Sequence, residues 1–231
     1  MKTGSALITG GGSGIGAACA AEFIRRGRPV VIVGRSGSRL KAASRALGGP
    51  SRVLALAGDA GDERFAKRAF AAARRRFGPV DILVNNAALL VKKSFLETSA
   101  AEWDAVMRTN LRGPFLFSRE LLRAPGRAIV NIGSLGGVQG TAKFPGLCAY
   151  TVSKYGITGL TAALAVEARA LGVAVFCVAP GAVDTDMLRR AAPGLKAGAK
   201  PLDVARVVAE LVESADPGLL SGAVIPLDTN R

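Results

Sequence analysis

Ala6-Leu7-Ile8-Thr9-Gly10-Gly11-Gly12-Ser13-Gly14-Ile15-Gly16 packs a strand, a turn and the start of a helix into one short stretch. Apolar residues 6–9 run directly into glycines. From residue 15 the spacing changes, and Ile15, Cys19, Phe23 and Ile24 share one face of a helix expected over 15–26. Glycines let the backbone turn tightly and come close to a diphosphate, while the helix start offers free N–H groups and a positive dipole end. Alone the cluster decides little, because its spacing is not G-x-G-x-x-G and glycine turns after strands are often only turns.

Working outward, the same alternation repeats along the chain. Strand-like runs occupy 29–33, 53–57, 82–84, 128–132, 173–179 and 223–227. Helical patterns cover 38–47 and 63–77. Ser99 and Glu102 form a capping box that opens a helix to about residue 122, and another helix begins near Tyr150. Such repetition predicts right-handed crossovers and a parallel sheet of about seven strands with helices on both faces, an α/β doubly wound fold. No linker or fixed-period repeat interrupts it, so residues 1–231 read as one domain.

Composition narrows the chemistry. Of 231 residues, 49% are hydrophobic and 21% charged, the balance of a chain with a large core. Histidine is absent, which removes Ser-His-Asp and Cys-His mechanisms and His-ligated metal sites; no metal is expected. Aromatics make up 5%, too few for base-stacking platforms. Cys19, Cys148 and Cys177 lack paired spacing, which fits a reducing cytoplasm. The run 6–8 is too short for a signal sequence and 173–180 too short for a bilayer, so a cytoplasmic protein without a membrane partner is expected. Net charge is +14, and residues 1–80 carry 15 Lys and Arg against 4 Asp and Glu. That excess reads either as solvated helix surface or as a field for anionic ligands.

Ligands of open parallel sheets bind beyond the carboxyl ends of the strands. There the sequence sets Gly34-Arg35-Ser36 after the second strand, Asp59 after the third, Asn85-Asn86-Ala87 at the fourth, Ser134 at the fifth and Pro180-Gly181 at the sixth. Tyr150 and Lys154 share a helix face at i and i+4, a spacing that is also common surface decoration. Taken singly, Ser134 reads equally as a strand end, Asn110 as a helix cap, and Asn85 and Asn86 as turn residues.

In combination these residues resemble the short-chain dehydrogenase/reductase family, and the likeness covers essentially the whole chain. Thr9-Gly10-x-x-x-Gly14-x-Gly16 is similar to its cofactor loop, and Asn85-Asn86-Ala87-Ala88 to its NNAG motif. Asn110, Ser134, Tyr150 and Lys154 resemble its catalytic tetrad, in order. Pro180-Gly181-Ala182-Val183-Asp184-Thr185 resembles its PG-x-V-x-T segment. The resemblance implies a Rossmann-like fold of seven strands, a nicotinamide cofactor and hydride transfer to or from a carbonyl. It further implies cofactor contacts from Thr9, Gly10, Gly12, Ser13, Gly14, Ile15, Gly16, Asn86, Ala87, Tyr150, Lys154, Pro180, Gly181, Val183 and Thr185, with Asp59 beside the adenine. Lys154 would hold the nicotinamide ribose, Ser134 the substrate oxygen, and Asn110 a water-mediated proton path. Ala88 replaces the usual glycine, the segment 121–127 is short, and the chain closes as Leu227-Asp228-Thr229-Asn230-Arg231 without a glycine-rich tail. The last two bear on assembly, so homodimer and homotetramer stay open, joined through the helices near Glu102 and Tyr150.

Ketone reduction needs a positioned acid, and Tyr150 is the candidate. An ordinary tyrosine titrates near ~10. A lysine ~4 Å away at an effective dielectric of ~20 would lower that by up to roughly three pKa units, so Lys154 is expected to depress Tyr150. For the cofactor, Gly34 stands where NAD enzymes carry an acidic acceptor for the ribose hydroxyl, and Arg35 follows with a fork suited to phosphate. Ser36 adds a hydroxyl, and NADP is expected ahead of NAD. The leading expectation is an NADP-dependent oxidoreductase acting on a small-molecule or carrier-bound carbonyl or alcohol. The alternatives are a non-catalytic dinucleotide sensor or scaffold and, behind it, a charge-driven nucleic-acid binder, which lacks a recognised motif.

Overall fold

A computed structural model describes residues 4–213 and 216–228. Seven parallel strands form one sheet: β1 (Ser5–Thr9), β2 (Val30–Gly34), β3 (Val53–Ala57), β4 (Val80–Asn85), β5 (Ala128–Ile132), β6 (Ala174–Pro180) and β7 (Val224–Leu227). Their order is β3-β2-β1-β4-β5-β6-β7. The chain therefore reverses direction across the sheet between β1 and β4, which opens a crevice at their carboxyl ends.

Among the described residues, eight α-helices surround the sheet: α1 (Gly14–Arg25), α2 (Gly37–Ala46), α3 (Glu63–Phe77), α4 (Ala100–Met107), α5 (Gly113–Arg123), α6 (Cys148–Ala168), α7 (Asp186–Ala191) and α8 (Pro201–Glu213). Side chains of successive strand residues point to opposite faces, and the two cores follow that period of two. Ile8, Ile32, Val84, Val130 and Phe176 pack with Phe23 of α1 and Val208 of α8. Leu7, Val31, Leu83, Ile129 and Val175 pack on the other face with Phe65 of α3 and Phe117 of α5. Truncating a fully buried phenylalanine such as Phe117 to alanine would cost about 3–5 kcal/mol.

Two features differ from the sequence expectation. The helix expected from residue 99 to about 122 opens with the capping box at Ser99 and Glu102. It is then interrupted by a π-turn, Arg108–Arg112, that divides it into α4 and α5. The stretch 182–200, for which the sequence pattern predicts no helix, contains α7, and α8 follows it without a sequence assignment, although Val204, Ala205, Val208, Ala209 and Val212 give it a buried helical stripe. Residues 229–231 of the atypical ending lie outside the described residues.

Candidate active site

The glycine loop is built by close approach. Gly10 has φ of 69° and donates to the Val33 carbonyl at 2.8 Å, which ties the turn to β2. A Cβ on Gly16 would stand 2.4 Å from the Gly10 oxygen, so only glycine fits where α1 begins. Ser13 occupies the α1 N-cap position with no side-chain capping bond, and no acidic residue sits in the first turn. The helix end is thus left open to an anion, the arrangement that suits a diphosphate.

β4 supplies the opposite lip. Thr9 Oγ1 accepts from the N–H groups of Asn86 and Ala87 at 2.9 and 3.0 Å. Asn86 Nδ2 donates back to the carbonyls of Thr9 and Gly10 at 2.9 and 3.3 Å. Asn86 therefore braces the glycine loop. One layer below, Asn85 Nδ2 donates to Ser118 Oγ and Asn131 Oδ1, and Asn131 Nδ2 donates to Thr161 Oγ1. This buried chain ties α5 and α6 to the sheet beneath the crevice, and it leaves Asn85 Oδ1 buried without a hydrogen-bond partner.

Tyr150 and Lys154 lie in the first turns of α6, and Ser134 follows β5. The structure brings these three together. Ser134 faces the Tyr150 hydroxyl, and its Oγ accepts from the Gly136 N–H at 3.2 Å. Burial pushes the Tyr150 phenol up to about 12, with the neighbouring Ser134 hydroxyl opposing it. Lys154 is buried, its Nζ donating to the Ile132 carbonyl at 2.6 Å. Burial brings its ammonium down to about 8. The expected depression of Tyr150 by Lys154 is not present in this arrangement: Nζ is turned to Ile132 and lies 5.5 Å from the tyrosine ring centre, so desolvation wins.

Asn110 sits inside the π-turn, not at a helix cap. The extra residue of such a turn turns a side chain out of helical register, and π-turns gather at functional sites. Its Nδ2 donates to Ser153 Oγ at 2.9 Å, and Ser153 donates to the Tyr150 carbonyl at 2.6 Å. Ser153 was absent from the sequence expectation; the available signal was a serine three residues after Tyr150, able to bond back to its carbonyl.

Other expected residues hold the walls. Arg35 is exposed at the end of β2, and among the described residues nothing pairs with its guanidinium. Ser36 caps α2 by accepting from Arg39 N, and Gly12 lies against that helix start, 3.4 Å from Leu40 N at its Cβ position. Asp59 is engaged with Arg108 at 3.1 Å and with the Gly61 N–H at 2.8 Å. Gly181 donates to the Leu227 carbonyl after Pro180 ends β6, and Val183 is buried and bridged to Ala199. Thr185 caps α7 through Leu188 N. A glycine cradle that a Cβ would fill, an uncapped helix start and an unpaired arginine beside it fit a phosphate-bearing dinucleotide.

A sequence-family model described as short chain dehydrogenase matches residues 4–196. Levodione reductase of Leifsonia aquatica is 34% identical over 249 residues, covering 96% of this chain and 91% of that protein. The 3-oxoacyl-(acyl-carrier-protein) reductase of Haemophilus influenzae is 33% identical, covering 97% of this chain and 96% of its own length. The crystal structure of 3-ketoacyl-(acyl-carrier-protein) reductase from Brucella melitensis complexed with NADH superposes with a TM-score of 0.87 at 30% identity, covering 97% of this chain and 96% of that one. Fold and crevice together define a nicotinamide-dinucleotide-dependent oxidoreductase. The chain belongs to the short-chain dehydrogenase family. Among the described residues, no helix is long and apolar enough to cross a membrane.

Proposed function

We propose that this chain is an NADP(H)-dependent carbonyl reductase in which Tyr150 is the general acid, acting on a small or carrier-bound ketone and reversibly on the alcohol. The observation that carries the reading is the convergence of Ser134, Tyr150 and Lys154 beside a glycine cradle, in a chain with no histidine. The crevice residues would hold a reduced nicotinamide, whose chemistry would be hydride donation to the carbonyl carbon. The residues then have to hold the substrate oxygen and give it a proton. Ser134 is placed to donate to that oxygen, and the Tyr150 hydroxyl is the adjacent proton source. Like an ordinary tyrosine, the Tyr150 phenol is protonated across the neutral range, which is the state a donor needs. Lys154, held by the Ile132 carbonyl beside the Tyr150 ring, orients the tyrosine and would hold the ribose of a bound cofactor, and Asn110 keeps the α6 start in line through Ser153.

Arg35 and the lack of an acidic acceptor at Gly34 support NADP over NAD. Asn110, Ser134, Tyr150 and Lys154 are assigned the catalytic roles. Homo-oligomer formation is supported by a groove of about 850 Å³ over α4–α6, in which Leu111, Phe115 and Leu160 lie beside the charged Asp104, Arg108 and Arg112. The cytoplasm is the proposed compartment. The test is a panel of ketones and 3-oxoacyl thioesters offered with NADPH and with NADH, followed by cofactor absorbance. Oxidation of NADPH by at least one ketone is expected. Dinucleotide binding without turnover of any substrate would leave a sensor instead.

A further inference from the structure

Between β4 and α4 the chain runs along one wall of the crevice, and it is pinned at several points. Asn110 holds Leu89, Lys93 N donates to the Gly146 carbonyl at 3.0 Å, and Lys93 Nζ pairs with Glu102 at 2.6 Å. Glu102 is itself fixed by capping α4 with Ser99. Lys92 sits within this pinned stretch. Gly146, at φ of 80°, leaves room for its stem: a Cβ there would lie 3.4 Å from Lys92 Cγ. From that base Lys92 Nζ reaches Ala191 and donates to its carbonyl at 2.6 Å.

Ala191 is the last residue of α7, where carbonyls run out of helical partners and a cation is favoured. At its other end α7 rests on the glycine loop, with Thr185 Cγ2 3.3 Å from the Cβ position of Gly14. Hence α7 spans the mouth from the cofactor loop to the opposite wall, and Lys92 is the hand that reaches from that wall. Arg189, in the same last turn, is engaged with Asp184 and Asp186 of its own segment and does not cross.

We propose that Lys92 is a positioning residue that latches α7 across the mouth of the crevice, and that breaking its bond to Ala191 opens the way for substrate and product. The consequence for turnover rests on the reductase reading; the latch itself does not. A cation at an exposed helix end shifts an equilibrium by about two- to fivefold.

Hydrogen exchange of the α7 amides in wild type, Lys92→Met and Lys92→Arg tests the latch directly. Lys92→Met should speed exchange in α7 by about two- to fivefold while α8 is unchanged, and Lys92→Arg, which keeps charge and donor, should restore protection. With a ketone that turns over, Lys92→Met should raise KM with kcat held or increased, and NADPH affinity should stay within about twofold, since Lys92 holds the end of α7 opposite Thr185 and the cofactor loop. Unchanged α7 exchange, failure of Lys92→Arg to restore it, or a loss of kcat at constant KM would each overturn the proposal. Exchange and NADPH titration need no turnover. A protein that reduced no ketone but showed the α7-specific change would remove the reductase reading and leave the latch standing.

Discussion

Asn110 grips both polar groups of Leu89: its Oδ1 accepts from the Leu89 N–H at 2.7 Å and its Nδ2 donates to the Leu89 carbonyl at 2.9 Å. One side chain thereby stands in for a neighbouring strand and fixes the wall of the crevice. Removing it leaves part-buried backbone groups unpaired, at about 1–3 kcal/mol. Asn110→Ala should lower stability by that amount, and Asn110→Asp, which keeps one acceptor but loses both donations and buries a charge, should lower it at least as much. Denaturant midpoints check this; two variants within about 0.5 kcal/mol of wild type would deny Asn110 its bracing role.

Burial of Lys154 should cost stability. Its folded-state pKa of about 8 lies below the ordinary 10.5, so the unfolded chain binds more protons between those values and stability rises with pH across that window. Lys154→Met should be more stable than wild type by roughly 1–3 kcal/mol at pH below 8, and inactive. Its advantage should shrink as pH climbs towards 10.5, the unfolded value. Thermal unfolding without cofactor, across pH, checks the sign. A variant less stable than wild type below pH 8 would mean that the bond to Ile132 outweighs the burial.

Arg35 should govern cofactor choice. A charge-assisted bond contributes about 1.5–3 kcal/mol, so Arg35→Ala should weaken NADPH binding by roughly 10- to 150-fold and NADH binding far less. The Cβ position of Gly34 has only Leu40 Cδ2 nearby, at 3.8 Å, so Gly34→Asp is sterically tolerated and should favour NADH by repelling the phosphate. Dissociation constants for both cofactors decide. A wild type that prefers NADH, or an unchanged ratio in Arg35→Ala, contradicts the NADP assignment.

Assembly should use the groove over α4–α6. Phe115 there is 46% exposed, a large apolar side chain beside Leu111 and Leu160. Light scattering at micromolar concentration should give a multiple of the 23.6 kDa chain mass, and Phe115→Glu should reduce it with the fold intact. A monomeric wild type would place this surface outside any self-association.

Much of this was legible in residues 6–16, because a strand, a glycine turn and a helix start each have a local signature. Helix α3 was readable over 63–77 for the same reason, and the structure adds its cap at Asp62 and its buried face of Phe65, Ala66, Ala69 and Ala73. The π-turn was not, since a single inserted residue barely disturbs the apolar pattern from 100 to 123 yet redirects Asn110. Nor was the turning of Lys154 to Ile132, which depends on where β5 ends relative to α6 and not on spacing within the helix. Asn86 and Asp59 illustrate a third limit: sequence marks them at the right edge of the sheet, but the bond of Asn86 to the glycine loop and that of Asp59 to Arg108 are visible only in the packed chain.

Turnover by Tyr150→Phe tests the central claim most directly, since it removes one oxygen from a side chain whose ring packing can persist. With a ketone that wild type reduces, the variant should bind NADPH as wild type does and lose about 10²–10⁴-fold in kcat. Turnover within a few-fold of wild type, with NADPH binding intact, would contradict Tyr150 as the proton donor and with it the mechanism proposed for this chain.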